Sequence, residues 1–272
     1  MAIDLTLAMI NATVEIDQPK ADGKRIVGTG FLIDDPKPDG TPRTVLITAG
    51  HVFGNMSGAT ARIGYRFQGP DGTWRYSAQP LAIRQGASQL WVRNAGQDIA
   101  AIAIEAPPEF AKAAIPLAWL ADDATLVQQG VGPGDEMFVL GFPEGFASNT
   151  DGFPILRVGR VASYPLTPTK EFQSFLLDFR VFSGNSGGPV FMTPAVRRRP
   201  GAPDPAQPLV AGIVTSQTVV GEERLELGIV VDAGYIKDTL KLLDEPASIS
   251  VTAASAAAAS SPANAAAAGP PP

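Results

Sequence analysis

A single histidine, an aspartate at the head of an apolar run and a serine in a glycine-rich turn follow one another along this chain. They lie in Thr48-Ala49-Gly50-His51, Gln97-Asp98-Ile99-Ala100 and Gly184-Asn185-Ser186-Gly187-Gly188-Pro189. A serine hydroxyl is a weak nucleophile and needs a base for its proton, which a histidine held by a carboxylate supplies. The chain must therefore fold so that three distant segments meet.

Each of the three residues has a chemical role and a structural alternative. We predict Ser186 as nucleophile, His51 as general base and acid, and Asp98 as the carboxylate that fixes the imidazole tautomer. The glycine-rich segment alone also suits a surface turn, and a lone histidine is more often structural than catalytic. Asp122 and Asp123 compete with Asp98 on position, but neither heads an apolar run like the one after Asp98.

Composition favours a globular protein without nucleic acid as a partner. The chain has 272 residues, of which 45% are hydrophobic and 18% charged, and its net charge is −6. The one basic run, residues 197–199, lies in the proline-rich stretch 193–208, which predicts an exposed loop, with a cleavage site as the alternative. Nucleic acid is therefore not a favoured partner.

The ends of the chain and its cysteine content bear on location. The chain has no cysteine, which excludes disulfides and fits a reducing compartment. The first five residues lack a basic region and a sustained apolar core, so we expect no signal peptide and no membrane span. The expected location is the cytoplasm, although a processed mature form would look the same.

The repeating pattern of short strands predicts an all-β fold. Apolar or alternating runs recur between turn signals in both halves, as in barrels and sandwiches. In the first half the runs are Arg25–Ile33, Thr44–Thr48, Ala61–Phe67, Thr73–Ala78, Leu90–Arg93 and Asp98–Ile104. In the second half they are Met137–Leu140, Ile155–Ala162, Gln173–Phe182, Val190–Met192, Leu209–Thr215 and Glu226–Val231.

The chain is predicted to end in a short helix followed by a tail. Residues 235–243 place Ile236, Leu240 and Leu243 at helical spacing. Residues 246–272 are mostly Ala, Ser and Pro, a composition that cannot bury a core and predicts a disordered tail. An alanine-rich helix is the alternative, and Pro262 limits its length.

These motifs, in the order His, Asp, Ser, resemble the chymotrypsin/trypsin-like serine endopeptidases. Subtilisin-type enzymes run Asp, His, Ser, and α/β-hydrolases run Ser, Asp, His. The resemblance covers roughly residues 20–245 and is to bacterial members of the family. It implies two six-stranded antiparallel β-barrels with the active site in the cleft between them. Residues 1–120 would form the barrel with His51 and Asp98, and residues 121–245 the barrel with Ser186. The tail is too short for a PDZ domain.

The resemblance also implies an oxyanion hole and bears on activation. The backbone N–H groups of Gly184 and Ser186 would bind the oxyanion. Asn185 stands where many zymogen-activated relatives have an aspartate that pairs with a newly cut N-terminus, and an amide cannot form that ion pair. Arg25-Ile26-Val27-Gly28 imitates an activation site, but it lies too close to His51. We interpret it as structural and expect no cleavage there.

The substrate pocket is the least specific part of the resemblance. Relatives often have the pocket floor six residues before the serine, which is Arg180 here. The resemblance implies walls from Thr215, Ser216 and Gln217 on one side and Gly228 on the other, although ordinary strand roles fit each of them. Arg180 argues against cleavage after Lys or Arg. We expect small or uncharged P1 side chains, with acidic P1 as the alternative.

The motifs together predict a serine endopeptidase that hydrolyses polypeptides through an acyl-enzyme intermediate. No cofactor and no metal are implied, since one histidine and no cysteine make a zinc site unfavourable. Two alternatives remain open. One is a catalytically silent peptide-binding pseudoprotease, and the other is a protease that becomes active only when a protein regulator or assembly partner switches it on.

Overall fold

The computed structural model describes residues 5–193, 196, 198, 200–201 and 208–245. Its first half consists of α1 (Leu5–Ala12), β1 (Thr13–Pro19), β2 (Arg25–Asp34), β3 (Thr44–Thr48), α2 (Gly50–Asn55), β4 (Thr60–Gln68), β5 (Trp74–Ala82), β6 (Arg84–Gln85), β7 (Ser88–Gln89), β8 (Val92–Arg93), β9 (Ala100–Ile104), α3 (Pro108–Ala111) and β10 (Ile115–Pro116). Its second half consists of α4 (Asp123–Gln128), β11 (Glu136–Gly141), β12 (Ile155–Val161), β13 (Ser174–Asp178), β14 (Pro189–Met192), β15 (Leu209–Val220), β16 (Glu223–Asp232) and α5 (Ala233–Lys241). Two short 3-10 turns lie at Leu117–Trp119 and Pro143–Gly145.

The first half is an eight-stranded sheet rather than a six-stranded one. Its order is β5-β4-β1-β2-β3-β9-β8, and β10 pairs in parallel with β2. The ladder does not join the edge strands β5 and β8 among the described residues. β8 has only two residues, and the next turn bonds to a side chain instead, since the backbone N–H groups of Gly96 and Gln97 donate to Asn94. The all-β class is confirmed, and this half is consistent with a barrel whose ladder stays open.

The second half is a closed six-stranded barrel in the order β11-β12-β13-β16-β15-β14. Its strands alternate buried and exposed residues, so one face of each fills the interior. Met137 and Val139 of β11 pack there with Leu177 of β13 and Val230 of β16. Closure pairs each of these six strands on both sides, so none of the described barrel strands is an edge strand.

The two halves share a core. Phe31 and Ile47 of the first sheet are fully buried in one cluster with Leu140 and Ile213 of the barrel. Burying such side chains contributes about 1.5–3 kcal/mol each. This shared cluster joins the strands that lead to the candidate site from both halves.

The helices at the two ends differ in how well the sequence predicts them. α5 begins after Asp232, whose side chain accepts from the N–H of Gly234 at 2.7 Å, and it buries Ile236 and Leu240 as predicted. α1 was not predicted, because Leu5–Ala12 is apolar on every side and shows no amphipathic period. No helix among the described residues is long and apolar enough to cross a membrane.

Three predictions are not tested by the structure. The tail 246–272 lies outside the described residues, and so does most of the arginine run at 197–199. The domain boundary near residue 120 stays a prediction.

Candidate active site

His51 lies in the first turn of α2, directly after β3. The buried strand β3 ends at Thr48, and the turn Ala49-Gly50 brings the histidine to the end of the sheet. Gly50 is needed here because a Cβ at this position would lie 2.9 Å from Oδ1 of Asp98 and 2.8 Å from Nε of Arg93. The backbone at Gly50 therefore lies close to Asp98, so the carboxylate of Asp98 can reach His51.

Asp98 holds His51 through both of its carboxylate oxygens. Its Oδ2 lies 2.5 Å from Nδ1 of His51, and its Oδ1 accepts from the backbone N–H of His51 at 2.9 Å. Arg93 approaches Oδ1 at 3.5 Å. Burial is the largest influence and would raise the pKa of Asp98, but the hydrogen bonds and charge of His51 outweigh it with help from Arg93, so the pKa is lowered.

The competing aspartates lie elsewhere in the fold. Asp122 caps α4, where it accepts from the N–H of Thr125 at 2.9 Å. Asp123 accepts from the N–H of Thr169 at 3.0 Å. Both carboxylates therefore have local partners in the second half, and Asp98 is the aspartate that bonds to His51.

Ser186 lies in a tight loop before β14, the serine loop, which comprises residues 183–188. Its hydroxyl donates to the carbonyl oxygen of Thr215 at 3.1 Å, and Nε2 of His51 has no partner among the described residues. The next residue, Gly187, has φ +88°, and a Cβ there would lie 2.1 Å from the carbonyl oxygen of Thr29 and 2.4 Å from Oγ1 of Thr48. The serine loop is thus packed against the strands that lead to His51.

The backbone of the serine loop is held by its carbonyl groups. The carbonyl oxygen of Ser183 accepts from the N–H of Glu144 at 2.6 Å, and that of Asn185 accepts from the N–H of Gly188 at 2.9 Å. In a trans peptide the N–H points opposite to the C=O. The N–H groups of Gly184 and Ser186 therefore point away from these partners, and neither has an acceptor in the described part of the chain.

The predicted pocket residues fall into two groups. Thr215, Ser216 and Gln217 lie on β15, and Gln217 is directly opposite Gly228 of β16. A Cβ at Gly228 would meet the side chain of Val181 at 3.1 Å, so these two residues are in close contact. These residues are therefore neighbours on two paired strands of the barrel, and their role as pocket walls stays a prediction.

Arg180 differs from these wall residues because its side chain is exposed. It lies 3.4 Å from Glu226 in an ion pair between two exposed side chains, and its guanidinium lies 4.9 Å from the ring of Phe182. Such pairs contribute little to the free energy of unfolding, since water screens them. The guanidinium is thus partly neutralised by a neighbouring carboxylate.

Two residues that contact the serine loop have no role in the sequence interpretation. Thr29 bonds to two of its carbonyl groups, and Glu144 holds Ser183 from a left-handed conformation with φ +52°. A polar residue between two glycines in an apolar strand was the available signal for Thr29. Glu144 gave no signal, because glycine is the residue expected at such a φ.

Comparison with known proteins points to one family. Residues 28–194 match the family model described as a trypsin-like peptidase domain. Among solved structures, the HtrA-type protease AlgWS227A with tripeptide matches with a TM-score of 0.53 at 14% identity, over 89% of this chain and 64% of that one. The HtrA-type protease AlgW with decapeptide matches with a TM-score of 0.51 at 13% identity, over 89% and 68%.

The matched structures share part of their length with this chain. The Rv3671c protease from M. tuberculosis, active form, is 19% identical over 88% of this chain and 83% of that one, with a TM-score of 0.49. No curated protein matches the chain. The chain spans 64% of the length of the first HtrA-type structure. At these identities the solved structures show the fold alone.

Proposed function

Because the chain belongs to the trypsin-like peptidase family, we propose that it is a serine endopeptidase with a triad of Ser186, His51 and Asp98. The observation that carries the proposal is the double contact of Asp98 with the ring and the backbone of His51, at 2.5 and 2.9 Å. A carboxylate in this position accepts the Nδ1 proton, so Nε2 is left as the basic nitrogen.

In the proposed mechanism, Ser186 Oγ attacks the carbonyl carbon of the scissile peptide bond while Nε2 of His51 takes its proton. The tetrahedral intermediate collapses as His51 gives that proton to the leaving amine, and an acyl-enzyme remains. Water then attacks the ester, with His51 as base again, and the acid product leaves as Ser186 regains its proton. Asp98 stabilises the imidazolium in each half-reaction.

The N–H groups of Gly184 and Ser186 are the proposed oxyanion donors. Support comes from the carbonyl groups of Ser183 and Asn185, which accept from Glu144 and Gly188. Because each carbonyl points at its partner, the N–H of the same peptide points away from that partner. Donors fixed before the reaction cost no reorganisation when charge develops, and loss of one typically costs about 3–4 kcal/mol of transition-state stabilisation.

The proposed substrates are polypeptides with a small or uncharged P1 residue. Arg180 is exposed and paired with Glu226, and Val181 contacts Gly228, one of the predicted wall residues. An apolar contact at this place favours uncharged side chains over acidic ones. Cleavage of a peptide library mainly after Lys, Arg, Asp or Glu would contradict this preference.

A second candidate is a protease that a partner switches on. The observation in its favour is the bond from Ser186 Oγ to Thr215, since the hydroxyl must rotate away from this carbonyl to reach His51. If that rotation needed a bound partner, the isolated chain would be inert although all three residues are present.

Labelling with a fluorophosphonate, followed by intact mass, tests the proposal. We expect one adduct on the wild-type chain and on Ser88→Ala, a control at an exposed serine of β7, and none on Ser186→Ala. His51→Ala should slow labelling strongly because the base is lost. No adduct on folded wild type, with or without candidate partners, would overturn the proposed activity, whereas an adduct that needs a partner would favour the second candidate.

A further inference from the structure

Thr29 of β2 makes an unusual set of contacts with the serine loop. Its side chain is fully buried. Its backbone N–H donates to the carbonyl oxygen of Ser186 at 2.9 Å, and its hydroxyl donates to the carbonyl oxygen of Gly184 at 2.6 Å. The same hydroxyl accepts from the backbone N–H of Phe142 at 3.1 Å. Both the donor and an acceptor site of the hydroxyl are therefore used.

These contacts fall on the two residues that we propose as oxyanion donors. Thr29 holds the carbonyl groups of Gly184 and Ser186, which fixes the peptide planes next to the two N–H groups. Phe142 comes just before the turn whose Glu144 holds Ser183. One hydroxyl therefore links the serine loop to the turn that orients the N–H of Gly184.

The position of Thr29 is itself held firmly. Its carbonyl oxygen accepts from Oγ1 of Thr48 at 2.7 Å, and Thr48 is fully buried at the end of the strand that leads to His51. Gly184 lies so close to Phe142 that a Cβ there would lie 2.2 Å from the carbonyl oxygen of Phe142. The hydroxyl sits between two segments with little space to move.

Asn185 does not connect the serine loop to the first half of the chain. Its Oδ1 accepts from the backbone N–H of Phe182 at 2.9 Å, within its own loop, and an amide offers no ion pair to a chain terminus. Residue 185 therefore does not bridge the serine loop to the first half through charge. The bridge to the first half that reaches Gly184 is the neutral hydroxyl of Thr29.

We propose that Thr29 is a positioning residue that keeps the N–H groups of Gly184 and Ser186 aligned for the oxyanion, an inference that rests on the proposed function. It does not touch the reacting atoms and acts through the loop. Without the hydroxyl, the Gly184 carbonyl and the Phe142 N–H both lose their partner. The peptide between Gly184 and Asn185 then loses its anchor to the first half, and the bond from Glu144 to Ser183 alone orients the N–H of Gly184.

The test compares Thr29→Val, which has nearly the same shape but no hydroxyl, with Thr29→Ser, which keeps it. Thr13→Val is the matched control, since Thr13 is also fully buried and its hydroxyl donates to the carbonyl oxygen of Met9 at 2.7 Å, in α1. The readouts are the fluorophosphonate labelling rate, kcat and KM on casein, the pH dependence of kcat and the melting temperature.

We expect Thr29→Val to lower the labelling rate and kcat by about 10- to 100-fold, less than the roughly 100- to 1,000-fold from losing an oxyanion donor. KM and the pH midpoint should stay near wild type, because Asp98 and His51 are untouched. Thr29→Ser should recover most of the rate. Thr13→Val should lose stability to a similar degree and keep its rate, which separates positioning from general destabilisation.

Each other outcome decides against the inference. If wild type is labelled and Thr29→Val is labelled at the same rate, the inference is overturned and the proposed function stands. A loss of rate that matches Thr13→Val at equal melting temperature would also overturn it. No labelling of folded wild type would overturn the proposed function and this inference together. If Thr29→Val does not fold, Thr29→Cys against Thr29→Ser asks the same question, since a thiol is a weak hydrogen-bond partner.

Discussion

The two halves of the molecule hold their parts of the candidate site in different ways. In the first half, His51 follows β3 and Asp98 precedes the neighbouring strand β9, and the two side chains bond to each other directly. In the second half, Ser186 lies in a loop whose carbonyl groups are held by Thr29 of the first half as well as by its own barrel. The proposed base is positioned within one half, whereas the loop of the proposed nucleophile depends on both.

The two halves also differ in how they hold an aspartate, partly buried at Asp98 and fully buried at Asp232. Asp98 has a histidine and an arginine beside it, and its pKa is lowered although burial acts the other way. Asp232, at the end of β16, is buried and accepts a hydrogen bond from Gly234, and burial raises its pKa to about 7. A carboxylate matched by partners can thus stay ionised for catalysis, whereas an unmatched one costs the fold stability as it ionises.

The largest effect is expected where the first half acts on its own. Asp98→Asn should lower kcat by about 10⁴-fold, because an amide next to Nδ1 favours the wrong imidazole tautomer. The fold should be kept, since the amide oxygen still accepts from the backbone N–H of His51. Kinetics on casein and a melting curve measure both. A loss below about tenfold would show that Asp98 does not orient the histidine.

A stability change tests whether the second half depends on the first for its serine loop. Gly187→Ala adds a Cβ into the carbonyl of Thr29 and the hydroxyl of Thr48, at a φ of +88°. Gly40→Ala is the matched control, with φ +83° and open space around it. We expect about 1–3 kcal/mol of lost unfolding free energy for Gly40→Ala from strain alone. Gly187→Ala should lose roughly 1–3 kcal/mol more from overpacking.

Urea unfolding of the two glycine variants gives these free energies. Labelling of Ser186 in the folded fraction should fall in Gly187→Ala and not in Gly40→Ala. Equal losses of stability in both variants would mean that the close contact between the serine loop and strands β2 and β3 does not constrain the second half.

The last prediction concerns the pH dependence of the second half, where each pH unit has a small effect. Because the pKa of Asp232 is about 7 in the fold and near 4 when unfolded, its contribution is fully present below pH 4 and is lost as pH rises toward 7. The slope is at most about 1.4 kcal/mol per pH unit. Asp232→Asn keeps an acceptor for Gly234 and removes this slope, so the variant should be more stable than wild type at pH 8.

Unfolding free energies at pH 5, 6, 7 and 8 check this expectation. Asp122→Asn is the control, since Asp122 also caps a helix but its pKa is lowered by hydrogen bonds from Thr125. Because Asp122→Asn keeps Asp232, its free energy of unfolding should change with pH as in wild type. A wild-type curve that is flat between pH 5 and 8, relative to Asp232→Asn, would contradict the burial argument.

Much of the fold follows from patterns that are local in the sequence. The alternating runs predict most strands to within a few residues, and the apolar spacing after Asp232 predicts α5. α1 escaped prediction because an evenly apolar segment has no period. The open ladder of the first half also escaped, because closure depends on whether short edge strands meet in space.

The sequence by itself determined which residues could do this chemistry and in what order they come, since nucleophile, base and carboxylate are chemical types that can be named from one chain. The tertiary structure decided which aspartate bonds to His51, that the Ser186 hydroxyl donates to the carbonyl oxygen of Thr215, and that Thr29 links the two halves. Each of these depends on backbone paths that bring residues far apart in sequence within hydrogen-bond distance. Local preference carries no information about such contacts, because it acts only between neighbours in the chain.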